Sequence, residues 1–274
     1  MHKKPVAHAP RKRFGQNFLV ARNVIHAILA ALEPTPDDTL VEIGPGLGAL
    51  TFPLLERAGR LHVVEIDRDL VARLRALEPE RLTIHAGDAL AFDFSVLGER
   101  LRLIGNLPYN ISTPLLFHLA GFAVRLRDLT FMLQKEVVMR MTAAPGTADY
   151  GRLSVMLQYR FRMDRLFDVP PGAFRPMPKV TSSIVRMRPL PAAECLAADE
   201  ALLGRIVAAA FGQRRKTLRN ALRDFLTETD FAALGFDPGL RAERLSVADF
   251  VAIANYLDTR PARAQTSSSS TTGA

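Results

Sequence analysis

Apolar positions along this chain switch repeatedly between two spacings, and the switching predicts an architecture. Val24, Ile25, Ile28, Leu29 and Leu32 recur at helical spacing and predict a helix over 24–32. Thr39 to Ile43 is a short apolar run that reads as a strand, followed by the glycine loop Gly44-Pro45-Gly46-Leu47-Gly48 and a helix to about Ala58. Leu61–Ile66, Leu82–His85, Leu101–Ile104 and Leu129–Leu133 read as further strands. Helices are expected over Asp69–Leu77, Thr113–Leu119 and Lys135–Met141. Strands joined by helices of this length predict a parallel sheet covered on both faces.

Two later apolar segments, Phe161–Val169 and Ser182–Met187, fit a closing antiparallel part of that sheet. The proline-rich stretch between them, Pro170 to Pro178, reads as a stiff loop because proline restricts the backbone. From Asp199 to Asp258 the signals are all helical. The expected organisation is a basic N-terminal arm over 1–20, an α/β domain over 21–190, a small helical domain over 191–258 and a disordered Ser/Thr-rich tail over 259–274.

Composition adds limits. With 48% hydrophobic and 23% charged residues the chain reads as a soluble globular protein, and no apolar run is long enough to span a bilayer. The basic start, Met1-His2-Lys3-Lys4-Pro5, lacks the apolar core of a secretory signal, so a cytoplasmic location is the expectation. The single Cys195 excludes an internal disulfide and a cysteine-based zinc site. The formal charge of +8 admits an acidic partner. Its placement says more than its size. Lys3, Lys4, Arg11, Lys12, Arg13 and Arg22 precede the first acid, Glu33, and a second cluster holds Arg214, Arg215, Lys216, Arg219 and Arg223. Two separated basic clusters resemble a polyanion clamp. In the second, Arg215, Arg219 and Arg223 run beside Leu218, Ala221, Leu222 and Phe225, predicting one helix from near Gln213. A solvated helix face is the plain alternative there.

The candidate chemistry sits at strand ends. Gly44-x-Gly46-x-x-Ala49 with Glu65 about 20 residues on satisfies the dinucleotide fingerprint, yet the same geometry serves S-adenosylmethionine. Either way Glu65 would accept from ribose hydroxyls, although it could be only a helix-start acid. Asp88 could accept from an adenine amine, or merely form a turn. Asn106-Leu107-Pro108-Tyr109 follows the fourth strand. The Asn106 side-chain oxygen and the Pro108 carbonyl can both accept from an exocyclic amine, and Tyr109 offers a face for a planar ring. No histidine falls at a strand end, where a dehydrogenase would need a proton donor, so methyl transfer to a base amine fits better than hydride transfer.

Six segments carry a family resemblance. Arg11–Leu19, Val41–Gly48, Asn106–Ser112, Leu133–Val137, Pro176–Ser183 and Phe211–Leu218 resemble, in order, the signatures of the ribosomal RNA adenine dimethyltransferases, the last that of the bacterial small-subunit (KsgA-type) branch. The resemblance implies a Rossmann-like methyltransferase domain with a small all-helical C-terminal domain, acting as a monomer with S-adenosylmethionine as cofactor. The implied reaction dimethylates the N6 amines of two adjacent adenosines near the 3′ end of 16S ribosomal RNA in the small subunit. Asn17, Leu19, Gly44, Glu65, Asp88 and Asn106 would contact the cofactor. Phe174 is the expected second stacking face opposite Tyr109, with an ordinary core role as its alternative. Arg13, Arg214, Arg215, Lys216 and Arg219 are the expected RNA contacts. Competing readings are a large-subunit RNA methyltransferase, a non-catalytic assembly factor and a nicotinamide oxidoreductase.

Overall fold

A computed structural model describes residues 16–77, 81–213 and 215–260. Most of the expected arm and tail therefore lies outside the described residues, as do Arg13 and Arg214. The chain divides into two compact units, one ending at Cys195 and the other beginning at Leu196.

In the first unit the elements run β1 (Phe18–Leu19), α1 (Arg22–Leu32), β2 (Leu40–Ile43), α2 (Thr51–Arg57), β3 (Leu61–Glu65), α3 (Arg68–Leu77), β4 (Leu82–Ala86), β5 (Leu101–Asn106), α4 (Ser112–Ala120), β6 (Leu126–Gln134), α5 (Lys135–Met141), α6 (Arg152–Gln158), β7 (Phe161–Val169), β8 (Phe174–Arg175) and β9 (Ser182–Pro189). Seven strands form one sheet in the order β4-β3-β2-β5-β6-β9-β7. β2 to β6 are parallel, and β9 runs antiparallel to both β6 and β7. The closing antiparallel pair is therefore where the apolar segments placed it.

Strand alternation divides the core between the two faces of the sheet. Val41, Ile43 and Leu103 pack in one buried cluster, while Leu40 and Ile104 pack in the other. Every residue of β2 is buried, as expected of a central parallel strand. The chain leaves β2 toward β3 and β4, then returns to lay β5 on the other side of β2. That reversal makes a switch point, where an open α/β sheet holds its ligands at the carboxyl ends of the strands. β5 approaches β2 closely here: a Cβ on Gly105 would stand 2.5 Å from the Ile43 carbonyl oxygen, so only glycine fits without a shift.

The amino ends of the same strands are closed by ionic packing. The Arg102 guanidinium lies 3.0 Å from Asp128 and 2.7 Å from Asp38 and also donates to the Leu32 and Glu33 carbonyls. Arg127 adds a second contact to Asp38 at 2.7 Å.

The second unit contains α7 (Glu200–Gly212), α8 (Leu218–Ala221), α9 (Glu228–Leu234) and α10 (Val247–Asp258). Local sequence sets several of its helix starts. Asp199 accepts from Leu202 N–H, while Thr227 with Asp230 and Ser246 with Asp249 form reciprocal capping boxes. One expectation fails in this unit. No single helix starts near Gln213; α7 ends at Gly212, and between it and Leu226 only Leu218–Ala221 is helical among the described residues. The reason is non-local: Thr217 bridges to Arg241, and Leu218 N–H donates to the Leu240 carbonyl at 2.7 Å. Among the described residues no helix is long and apolar enough to cross a membrane.

Candidate active site

A cavity of about 290 Å³ opens at the carboxyl ends of the parallel strands. It is lined by residues 16–19, the loop after β2, the ends of β3 and β4, and residues 106–111. Asn17, Leu19, Gly44, Glu65, Asp88, Asn106, Pro108 and Tyr109 all line it. The structure thus gathers eight expected site residues around one space.

The cofactor half is built from backbone and carboxylate. Gly44 and Gly46 have φ of 68° and 58°, a region that side chains disfavour. At Gly46 a Cβ would also press on the Phe18 ring at 3.1 Å. The loop therefore keeps its backbone bare toward the cavity. Glu65 ends β3 and is 6% exposed. Its carboxylate accepts from Asp67 N–H at 2.8 Å and Gly46 N–H at 3.4 Å, tying the strand end to the glycine loop. Burial, with the Asp67 charge beside it, pushes its pKa up, and the backbone donors of Asp67, Gly46 and Ile66 only partly offset that. Among the described residues no cation pairs with it, so lone pairs remain for neutral donors such as hydroxyls. Asp88 is exposed and accepts from Leu90 N–H at 2.9 Å. It is a turn former and a cavity residue at once.

The acceptor half is neutral. Asn106 closes β5, and its side-chain N–H donates to the Asn17 carbonyl at 2.9 Å. That bond fixes the amide with its oxygen left as an acceptor. The Pro108 carbonyl accepts from Ile111 N–H at 3.2 Å and retains a second lone pair. The Tyr109 hydroxyl lies 2.9 Å from the Ser182 hydroxyl of β9, which pins the ring. Burial raises the phenol pKa, so the group is neutral at physiological pH.

Phe174 lies apart from these residues. It is 0% exposed, sits opposite Leu19 in the β1–β8 pair, packs in the core with Val169 and Ile184, and does not line the cavity. Pairing of two short strands draws the ring inward, so in this structure it offers no open face opposite Tyr109. Of the expected RNA contacts in the second unit, Arg215 and Lys216 are exposed. Arg219 is also exposed, but its guanidinium is engaged by Glu228 at 2.7 Å.

Glu42 and Ile66 are cavity residues to which the sequence reading assigned no site role. Glu42 is 2% exposed, accepts from the Thr51 hydroxyl at 2.6 Å and lines the cavity. Burial, with Glu65 nearby, pushes its pKa up to about 8. An acid inside the apolar run Leu40-Val41-Glu42-Ile43 was the available signal. Ile66 is 47% exposed and also lines the cavity, an apolar side chain between two acids.

Comparison with solved structures gives the class. The fold matches a dimethyladenosine transferase from Plasmodium falciparum with a TM-score of 0.74 at 24% identity, over 88% of this chain and 97% of that one. It matches the 23S rRNA methyltransferase ErmE with a TM-score of 0.66 at 27% identity, over 88% of this chain and all of that one. The protein is an α/β Rossmann-like methyltransferase that uses S-adenosylmethionine. Sequence comparison narrows this further. The family model described as ribosomal RNA adenine dimethylase matches residues 7–259, and the chain belongs to that family. It is 73% identical to the ribosomal RNA small subunit methyltransferase A of Aromatoleum aromaticum, covering 94% of this chain and 97% of that protein. The protein of the same name from Thiobacillus denitrificans is 66% identical, covering 92% of this chain and 100% of that one.

Proposed function

We propose that this enzyme dimethylates the N6 amines of two adjacent adenosines near the 3′ end of 16S ribosomal RNA, within the small subunit, as a step in subunit maturation. Relatives of high identity named as small-subunit methyltransferases support this choice of RNA. The observation that carries the chemistry is the Asn106 amide, held by Asn17 in the same cavity as Glu65 and the glycine loop.

The cavity fits the cofactor: the bare backbone at Gly44 and Gly46 and the buried Glu65 carboxylate suit a nucleoside. Asn17, Leu19, Gly44, Glu65, Asp88 and Asn106 would hold S-adenosylmethionine, with Glu65 on the ribose hydroxyls and Asp88 on the adenine amine. When bound, it supplies an electrophilic methyl group. The acceptor amine is the harder partner, because its lone pair is delocalised into the ring. Asn106 and the Pro108 carbonyl each accept from that amine, which favours a pyramidal nitrogen aimed along one direction. This is orientation and preorganised electrostatics. Tyr109 stacks on the flipped base, a contact worth about 1–3 kcal/mol. After one methyl is gained a single N–H remains to be gripped, so the base turns or rebinds before the second transfer.

The first unit performs this chemistry and the helical unit contributes RNA contact. Arg215 and Lys216 are its exposed cations; Arg219 is shared with Glu228. Arg13 and Arg214 complete the proposed RNA-binding set. The enzyme works as a monomer in the cytoplasm, where subunits are assembled.

Labelled S-adenosylmethionine, supplied with unmethylated small subunits and separately with large-subunit RNA, tests this reading. Label is expected on two adjacent adenosines of 16S RNA. Label confined to large-subunit RNA, or none on either, overturns it.

A further inference from the structure

Beside the acceptor half of the cavity lies a second concavity of about 370 Å³, lined by Gln134, Lys135, Glu136, Met139, Val180 and Thr181. Two of its walls are exposed apolar side chains, Met139 at 39% and Val180 at 42%, in a molecule where such residues are few. Exposed apolar side chains rimmed by polar groups are one form that a binding site takes.

The groove is continuous with the acceptor site through backbone and side chain. Thr181 immediately precedes Ser182, whose hydroxyl pins Tyr109 at 2.9 Å. Gln134 is the register partner of Ser182 across β6 and β9. The Thr181 carbonyl accepts from Lys135 N–H at 2.9 Å, closing the floor. Asn106 pairs with Met132, so Gln134 lies two residues further along β6, about 7 Å beyond the level of Asn106. A strand of RNA that delivers one base to Tyr109 passes here with the next.

The lining is suited to a purine. Met139 and Val180 can cover the flat face of a base. The Gln134 amide presents a donor and an acceptor side by side, the pattern that reads adenine at its amine and N7. Glu136 adds an acceptor for an exocyclic amine. The Lys135 ammonium is held by Asp168 at 2.8 Å, and Lys179 and Arg175 are exposed in the adjoining segment, so cations stand near the path of the phosphates.

We infer that this groove binds the base of the second adenosine of the pair while the first occupies the acceptor cavity. It thereby selects tandem adenosines over a single one. The inference rests on the proposed activity, and the two can fail separately.

The test compares the wild-type enzyme with Val180→Asp and Gln134→Ala on unmethylated small subunits, and on subunits reconstituted with RNA in which one position of the pair is abasic. On intact subunits each variant is expected to lower kcat/KM by about ten-fold, the scale of one good base contact, with melting temperature and S-adenosylmethionine affinity unchanged. On abasic subunits the wild type falls by a similar factor and the variants lose nothing more. Wild-type kcat/KM for both variants on intact subunits overturns the groove assignment. So does an equal further loss on abasic subunits, which would place another part of the particle in the groove. If the wild-type enzyme itself leaves the adenosine pair unmethylated, the proposed function fails first and takes the inference with it.

Discussion

At the amino ends of the central strands, the buried carboxylates Asp38 and Asp128 face a buried guanidinium; at the carboxyl ends, Glu42 and Glu65 face none among the described residues. Asp38 and Asp128 enclose Arg102, and burial, which would raise the Asp38 pKa, is outweighed by the Thr35 amide and Arg102, leaving it lowered. Glu42 and Glu65 are as buried, yet both are raised, because burial, helped by a neighbouring carboxylate in each case, meets only neutral donors. The same sheet thus carries a charge-compensated end and an uncompensated one. Folding alone gives no reason to leave Glu42 and Glu65 at a cavity wall with no cation among the described residues, whereas a site that must receive hydroxyls and a cationic ligand does. One end holds the fold, and the other keeps its acceptors for a ligand.

Breaking the closed end should be the most damaging. Arg102→Ala leaves Asp128 buried without its counterion and Asp38 with Arg127 alone, and a loss of about 3–5 kcal/mol of stability is expected in denaturant unfolding. A variant as stable as wild type would remove the distinction between the two ends. At the open end the damage should fall on rate. Asn106→Ala is expected to lower kcat by about 100-fold or more, the scale of losing one preorganised hydrogen-bonding group, with RNA affinity and melting temperature nearly unchanged. Turnover at the wild-type rate would take Asn106 out of the mechanism.

Glu42 sharpens the contrast through pH. Its folded pKa, about 8, lies above the ordinary carboxylate value of 4.5, so the folded state holds an extra proton between them. The stability it contributes is therefore fully present below the lower value and lost as pH rises through the upper one. The slope is at most about 1.4 kcal/mol per pH unit. Glu42→Gln keeps a partner for Thr51 and should flatten this decline; thermal melts of both proteins from pH 5 to pH 9 would show it, and parallel curves would contradict it. The smallest effect is expected in the helical unit. Replacing Arg215 and Lys216 by Ala should lower the salt dependence of subunit binding by about one logarithmic slope unit per lost phosphate contact. An unchanged slope would make them solvent-facing only.

How far the sequence foretold this structure differs between the same regions. Gly44, Glu65, Asp88 and Asn106 were readable because each follows a short apolar strand, and parallel topology alone sends such residues to one crevice. Glu42 was not, since a residue inside a strand reads as core until its neighbours are known. Helix α6 escaped because Leu153, Val155 and Leu157 alternate like a strand. The long helix expected from Gln213 failed for the opposite reason. Leu218, Leu222 and Leu226 are all buried at helical spacing, but contacts of Thr217, Leu218 and Arg219 with residues 238–241 set the backbone where the helix was expected to begin. The burial of Phe174 was not legible because two-residue strands such as β1 and β8 leave almost no pattern to read.

Calorimetric titration of S-adenosylmethionine into wild type and Glu65→Ala tests most directly whether the uncompensated end exists to hold a ligand. The substitution removes a carboxylate with which no cation among the described residues pairs, so folding should survive while affinity falls by about ten-fold or more, the scale of hydrogen bonds to a charged group. Equal affinity for the two proteins would mean that Glu65 serves the glycine loop alone, and that its want of a counterion has nothing to do with binding.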